Sequence, residues 1–352
     1  MAGETETAAM RRAVELSTSV GEATRPNPNV GAVVLDAGGR VAGEGRHERA
    51  GGPHAEVAAL AAAGDRARGG TVVVTLEPCN HTGRTGPCTE ALLAAGVARV
   101  VYAVSDPTAD AGGGASRLHA AGVDVEGGLL AAEAAAANER WLTSVRRQRP
   151  FVVWKVASTL DGRVAAADGT SRWISSPESR RDAHRLRAEC DTIVAGVGTV
   201  LADDPHLTVR DDAGTVAREQ PLRVVVDSHG RTPATARVLD DAAPSWVATA
   251  EELGRGSDGH VDLAALLKTL WARDRTLVLL EGGPTLAGGF LRAGLVDRVV
   301  AYLAPTLLGD GVAALSGTGI ATLADGVALE ITDVRRLGPD VRLTARPRPQ
   351  EG

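Results

Sequence analysis

The chain has 352 residues and a formal net charge of −6, long enough for two domains with sizeable cores. Aromatic residues make up only 3% and no basic run occurs, so neither a stacking platform nor an electrostatic footprint for nucleic acid is present. No apolar run approaches the roughly 20 residues of a membrane span, Met1-Ala2-Gly3-Glu4-Thr5-Glu6 lacks a signal-peptide core, and three cysteines make no disulfide framework. A cytoplasmic protein with no membrane or nucleic-acid partner is expected.

In chain order, Met10, Ala13, Val14 and Ser17 recur at helical spacing and predict an opening helix. Arg25-Pro26-Asn27-Pro28-Asn29-Val30-Gly31 is a rigid loop, followed by strands over 32–35 and 40–43. Asn27 and Asn29 are placed to bond a heterocycle edge, with plain turn asparagines an equal alternative. His47 follows in a Gly-rich approach. An Ala-rich helix over 57–63 stops at Gly64, and a buried strand over 71–76 delivers Glu77-Pro78-Cys79. A helix over 89–95 stops at Gly96, and a strand covers 99–104. Gly112-Gly113-Gly114 reads as a flexible loop, 131–142 as one helix, and Arg146-Arg147-Gln148-Arg149-Pro150 as a solvated hinge. The boundary is placed there, giving domains 1–147 and 148–352.

The first half is organised around His54-Ala55-Glu56, Cys79 and Cys88. One imidazole and two thiols fill three corners of a zinc tetrahedron, and a fourth corner left to water makes the site catalytic. Zinc lowers the pKa of its water to roughly 7. Glu56 is close enough in sequence to shuttle the proton, provided that His54 and Glu56 sit at the first turn of their helix. This is the general zinc-deaminase arrangement of His-x-Glu followed by Pro-Cys and a second Cys. The second cysteine comes later than usual, and the insert carries His81 and Arg84, which suit a phosphate. The alternative is a structural zinc with His81 as fourth ligand. Cys190 reads as an inert, half-buried thiol.

In the second half, a strand over 151–158 carries Lys155 among valines and a tryptophan. The chain otherwise writes arginine, with lysine only at Lys155 and Lys268. A buried ammonium is costly unless paired, so Lys155 is a candidate site residue. Ser176-Pro177 caps a helix over 178–189, whose arginines read mostly as a solvated face. Strands follow over 192–197, 222–226, 276–280, 298–303 and 341–345. Glu281-Gly282-Gly283-Pro284 closes one of them, a strand–glycine loop–helix anion site. Alternating strands and helices predict a layered α/β fold.

Taken together, these residues resemble the bifunctional riboflavin-biosynthesis deaminase/reductases. Pro28-Asn29-Val30-Gly31, Gly52-Pro53-His54-Ala55-Glu56-Val57 and Thr75-Leu76-Glu77-Pro78-Cys79 through Cys88 carry the first half of the likeness. Ser158-Thr159-Leu160-Asp161-Gly162-Arg163, Trp173-Ile174-Ser175, Leu201-Ala202-Asp203-Asp204-Pro205 and Glu281-Gly282-Gly283-Pro284 carry the second. The resemblance implies a cytidine-deaminase-like three-layer domain followed by a dihydrofolate-reductase-like α/β domain. The first would deaminate a small pyrimidine ribotide, and the second would reduce its ribosyl chain with NADPH.

Carried over by position, the resemblance implies that His54, Cys79 and Cys88 hold zinc and that Glu56 shuttles the proton. Asn27, His47, His81 and Arg84 would hold the deaminase substrate. Lys155, Asp203 and Glu281 would form the reductase cluster, with Lys155 paired to Asp203 or Glu281. Ser171, Arg187, Leu207, Arg210 and Glu281 would bind the reductase substrate. Ala157, Trp173, Thr199, Asp203, Ser228, Gly283, Pro284, Thr285, Leu286, Ala287, Gly288 and Gly289 would bind NADPH. Arg180, Arg181 and Arg185 are candidates to read its 2′-phosphate. A homo-oligomer, dimer or tetramer, is expected. The rival readings are a nucleoside or base deaminase with an unrelated appendage, and a zinc-stabilised scaffold without turnover.

Overall fold

The computed structural model describes residues 2–21, 23–81, 86–108, 111–211 and 214–348. The chain divides into two compact units, Met1–Gln148 and Arg149–Gly352. Among the described residues no helix is long and apolar enough to cross a membrane.

The first unit contains α1 (Glu4–Thr18), β1 (Gly31–Leu35), β2 (Val41–Arg46), α2 (Ala55–Ala63), β3 (Thr71–Leu76), α3 (Cys88–Ala95), β4 (Arg99–Val104), α4 (Gly114–Ala120), β5 (Asp124–Gly127), α5 (Ala131–Ala137) and α6 (Glu139–Arg147). Its sheet runs β2-β1-β3-β4-β5. β1 is antiparallel to β2 and β3, whereas β3, β4 and β5 are parallel. The central strands are buried on both faces, which is why they read as continuous valine runs.

The composition of α2 and β2 is a packing requirement. A Cβ added at Gly43 would collide with Ala59 O and Ala63 N, and one at Gly45 with Ala55 O and Ala59 N. Only glycine in the strand and alanine on the helix let the backbones approach this closely. That approach seats the first turn of α2, and with it His54 and Glu56, against the sheet.

The region after β4 differs from expectation. Gly114 starts α4 rather than belonging to a free loop, and a Cβ there would collide with Pro78 O. The helix expected over 131–142 is two helices, broken at Asn138 (φ −114°). The Asn138 side chain accepts from Asn29 N at 3.0 Å and donates to Asn29 O at 2.7 Å. Pinning that loop overrides the helical propensity of the alanine run. α6 continues through Arg147, so part of the expected hinge is helix.

The second unit contains β6 (Phe151–Thr159), β7 (Arg163–Ala166), α7 (Pro177–Glu189), β8 (Thr192–Gly196), α8 (Val197–Asp203), β9 (Leu222–Asp227), β10 (Ser245–Thr249), α9 (Ala250–Leu253), α10 (Leu263–Ala272), β11 (Leu277–Leu280), α11 (Pro284–Arg292), β12 (Arg298–Ala304), β13 (Gly311–Ala313), β14 (Leu329–Leu337) and β15 (Asp340–Pro347). The sheet order is β10-β9-β8-β11-β6-β12-β15-β14, parallel through β12 and antiparallel beyond it. β7 and β13 form a separate ribbon.

Alternate residues of the strands build two cores. Val152, Val194, Val224 and Val278 pack with α10 and α11, whereas Phe151, Ile193, Val225 and Leu279 pack with α7 and α8. Ser176 caps α7 by accepting from Ser179 N at 3.2 Å, with Pro177 at the first helical position.

Two residues of this unit depart from expectation. Arg149 is buried, not solvated, and pairs in a fork with Asp297 at 2.6 and 2.8 Å. Cys190 is buried rather than half-buried, and its thiol donates to Leu186 O at 3.2 Å.

Candidate active sites

The first site gathers at the start of two helices and the end of a strand. His54 is the extended N-cap of α2 (φ −72°, ψ 159°), so its ring leaves the chain before helical geometry begins. Cys79 follows β3, and Cys88 opens α3. His54 Nδ1 lies 3.1 Å from Cys88 Sγ and 3.5 Å from Cys79 Sγ. The three donor atoms fall within 4.8 Å of one another. Among the described residues no other His, Cys, Asp or Glu joins this group, so His81 is not a fourth donor. An imidazole nitrogen with two sulfurs is the donor set that suits zinc, with one position left for water.

The donors and Glu56 shift one another's protonation. The hydrogen bond from Cys88, with help from His54, pulls the Cys79 thiol down to about 4. The same hydrogen bond, burial and nearby Glu56 push Cys88 upward. The hydrogen bond with Cys79 raises His54. Burial pushes the Glu56 carboxyl up to about 7, with the Cys79 thiolate adding to it. Glu56 is 4% exposed. It is thus a buried carboxyl beside the donor group, of a type able to take and return a proton.

Around the three donors, His47 Nδ1 lies 2.9 Å from Pro53 O, so Nδ1 carries the proton and Nε2 accepts from Asn27 Nδ2 at 3.2 Å. The two rings of His47 and His54 meet edge to face at 5.4 Å. Asn29 does not face the site. It bonds Thr24 at 2.5 Å, Gly21 O at 3.0 Å and Asn138, so it is a loop fastener. The buried Nδ1 of His81 has no hydrogen-bond partner among the described residues. Arg84 lies outside the described residues. Glu77, which the motif alone leaves without a role, accepts from Asp106 N at 3.2 Å and Ala115 N at 3.0 Å and so secures the turn behind Cys79.

The second site is a cavity of about 1240 Å³ at the carboxyl ends of β6, β8, β9 and β11. At its floor Arg187 Nε and Nη2 donate to Glu281 Oε1 and Oε2 at 2.5 and 2.9 Å. Lys155 Nζ lies 3.7 Å from the same carboxylate. Burial disfavours the charge on Glu281, but Arg187 and Lys155 outweigh it and hold the carboxyl down to about 2. Burial lowers Lys155, with Glu281 opposing. Lys155 is therefore paired with Glu281 and not with Asp203. Asp203 instead accepts from Ser171 Oγ at 3.4 Å and, through its carbonyl, from Arg172 Nη2 at 2.7 Å.

Ala157, Ser171, Trp173, Thr199, Leu207, Arg210, Ser228, Gly283, Pro284, Thr285, Leu286 and Gly289 also line this cavity. Ala287 and Gly288 do not. Both are buried in α11, and a Cβ on Gly288 would collide with Ser316 O. Arg180 and Arg181 are on the lining and Arg185 is not. The Arg180 guanidinium stacks 4.5 Å from the ring centroid of Trp173. His184 lines the cavity too, and sequence reasoning missed it. The signal was available, because residues 180, 183, 184 and 187 form one helical stripe.

Comparison with known proteins agrees with both sites. Residues 4–104 match the model of the cytidine and deoxycytidylate deaminase zinc-binding region, and residues 150–343 match that of the RibD C-terminal domain. The chain is 50% identical to the riboflavin biosynthesis protein RibD of Mycobacterium tuberculosis, over 96% of each chain. It is 43% identical to that of Escherichia coli, over 95% of this chain and 97% of the other. The solved structure of Acinetobacter baumannii RibD superposes with TM-score 0.84 at 40% identity, covering 98% of this chain and 99% of that one. The Thermotoga maritima diaminohydroxyphosphoribosylaminopyrimidine deaminase/5-amino-6-(5-phosphoribosylamino)uracil reductase gives 0.83 at 33% identity, with the same coverage. The fold is thus a cytidine-deaminase-like domain followed by a RibD-type reductase domain, and the chain belongs to the RibD family of bifunctional deaminase/reductases of riboflavin biosynthesis.

Proposed function

We propose that residues 1–147 deaminate 2,5-diamino-6-(5-phosphoribosylamino)pyrimidin-4(3H)-one. Residues 148–352 then reduce the ribosyl chain with NADPH, giving 5-amino-6-(5-phosphoribitylamino)uracil. The observation that carries the reading is the His54–Cys79–Cys88 donor group with the buried carboxyl of Glu56 beside it. The name of the Thermotoga relative supports the substrates. The division into units at Gln148 and Arg149 supports the boundary.

In the deaminase, His54 Nδ1 and the sulfurs of Cys79 and Cys88 hold the metal. Zinc, when bound, supplies Lewis acidity that activates water near neutral pH. Glu56 takes a proton from the attacking water and returns it to the amino group as it leaves as ammonia. Asn27, held against His47, together with His81 and Arg84, positions the ribotide.

In the reductase, the cavity's volume and the strand–glycine turn–helix start at Gly283 suit a dinucleotide. Ala157, Trp173, Thr199, Ser228 and the Gly283–Leu286 turn line its place. NADPH, when bound, supplies hydride to the sugar C1. Lys155, held by Glu281, orients the opened sugar and passes the proton that reduction requires. Ser171, Arg187, Leu207 and Arg210 hold the rest of the substrate, and Asp203 fixes Ser171.

Exposed Leu329, Ile331 and Val334 on the edge strand β14 support the proposal of a homo-oligomer, dimer or tetramer, which light scattering on the purified chain tests. The function is tested by giving that chain the pyrimidine ribotide with and without NADPH, following ammonia and cofactor absorbance separately. Ammonia without NADPH, and NADPH oxidation only after deamination, is the expected pattern. Absence of both signals overturns it.

A further inference from the structure

We propose that His184 is a switchable cation of the reductase cavity, which takes up a proton when the phosphate of the sugar substrate binds. The inference rests on the reductase reading above and adds a residue to its substrate grip. His184 lies on the cavity face of α7, one turn before Arg187 and one turn after Arg180. Its Nδ1 is closed to solvent and has no hydrogen-bond partner among the described residues. Nε2 makes no bond among the described residues and is the ring nitrogen left open.

The groups that act on this ring come from every side of the cavity floor. They are Arg187 on α7 itself, Arg210 in the loop after α8, Lys155 on β6 and Glu281 at the end of β11. Arg187 and Lys155 are already committed to Glu281. Arg210 has no carboxylate partner among the described residues, bonding only Thr208 Oγ1 and Gly214 O, at 3.2 Å each. Two cations share one carboxylate there, so a net positive charge remains, and His184 and Arg210 stand beside it for an incoming anion.

Burial, then the charges of Arg187, Arg210 and Lys155, lower the His184 pKa in the free protein, so the ring there is neutral at neutral pH. A phosphate monoester carries about 1.5 to 2 negative charges and reverses the local balance. The proton comes from solvent, the only bond formed is the ring N–H, and the imidazolium becomes a second donor beside Arg210. Because the pKa rises on binding, the gain in affinity is full at low pH. It is lost as pH rises through the pKa of the complex.

The test uses the full chain labelled with 13C-histidine, with His184→Gln assigning the resonance. Ribose 5-phosphate is the probe and ribose its phosphate-free counterpart. The His184 midpoint is expected below the ordinary histidine value without ligand. It should rise by about one unit, a tenfold change, with ribose 5-phosphate and stay put with ribose. In turnover, His184→Gln should raise KM for the ribotide at low pH, by about tenfold below the free-protein midpoint, and much less at pH 9, whereas Arg185→Gln, off the cavity, should leave it alone. A midpoint that ribose 5-phosphate does not move overturns the proposal. So does one that adenosine 2′-phosphate moves instead, which assigns the ring to the cofactor. A wild-type chain that shows the titration but oxidises no NADPH with the ribotide would refute the reductase reading and leave the phosphate site standing.

Discussion

Arg187 and Glu281, 94 residues apart in sequence, meet in a two-point fork at 2.5 and 2.9 Å on the floor of the second cavity. The fork fixes the carboxylate plane, and Arg187 Nη1 also reaches Thr208 O at 3.2 Å. Lysine cannot reproduce this planar geometry. Arg187→Lys should lower reductase kcat/KM by roughly 10–100-fold, for a loss of about 1–3 kcal/mol of charged hydrogen bonding. Ammonia release should be unchanged, since the deaminase site is built in the other unit. Parallel assays of the two reactions check both halves.

The same carboxylate makes stability depend on pH. Glu281 is held down to about 2 in the folded chain, against an ordinary 4.5. A depressed carboxyl stabilises above its unfolded pKa and loses that stabilisation as pH falls toward the folded one. The window is therefore pH 4.5 to 2, worth roughly 3 kcal/mol at this buried site. Denaturant unfolding of the second unit, followed by its tryptophans, should show wild type ahead of Glu281→Gln at pH 7. The gap should close through that window.

Lys155→Arg keeps the positive charge but removes a group able to give up a proton at usable pH. NADPH affinity should persist while reductase turnover falls to background. Cofactor titration by fluorescence and a stopped assay separate the two. Full turnover in the variant would remove Lys155 from the chemistry.

Gly45→Ala places a methyl group against Ala55 O and Ala59 N, at the start of α2. Overpacking of this kind costs about 1–3 kcal/mol, and relief requires α2 to move. Both melting temperature and zinc retained after dialysis should fall, although the substitution touches no ligand. Gly3→Ala, with open space around the added methyl and an extended backbone, should leave zinc retention unchanged.

The zinc donors were legible because few residue types can do that chemistry and their order along the chain was intact. Lys155 stood out for a similar reason, as one of two lysines in a chain of arginines. Arg149 and Arg187 were not legible as paired residues, because their partners Asp297 and Glu281 lie at strand ends far along the chain. An arginine beside a charged run looks solvated until the fold brings a carboxylate to it. Asn29 and Asn138 explain each other in the same way, one closing a loop and the other breaking a helix. Ala287 and Gly288, which the resemblance assigns to the cofactor, are buried in α11 and do not line the cavity.

The account rests most heavily on Glu56 as proton carrier beside a metal held by His54, Cys79 and Cys88. Glu56→Gln, purified and measured for zinc content and ammonia release together, tests that directly. The expected result is about one zinc per chain with ammonia release down by roughly 10²–10⁴-fold. A variant that binds zinc and still releases ammonia at the wild-type rate would contradict it.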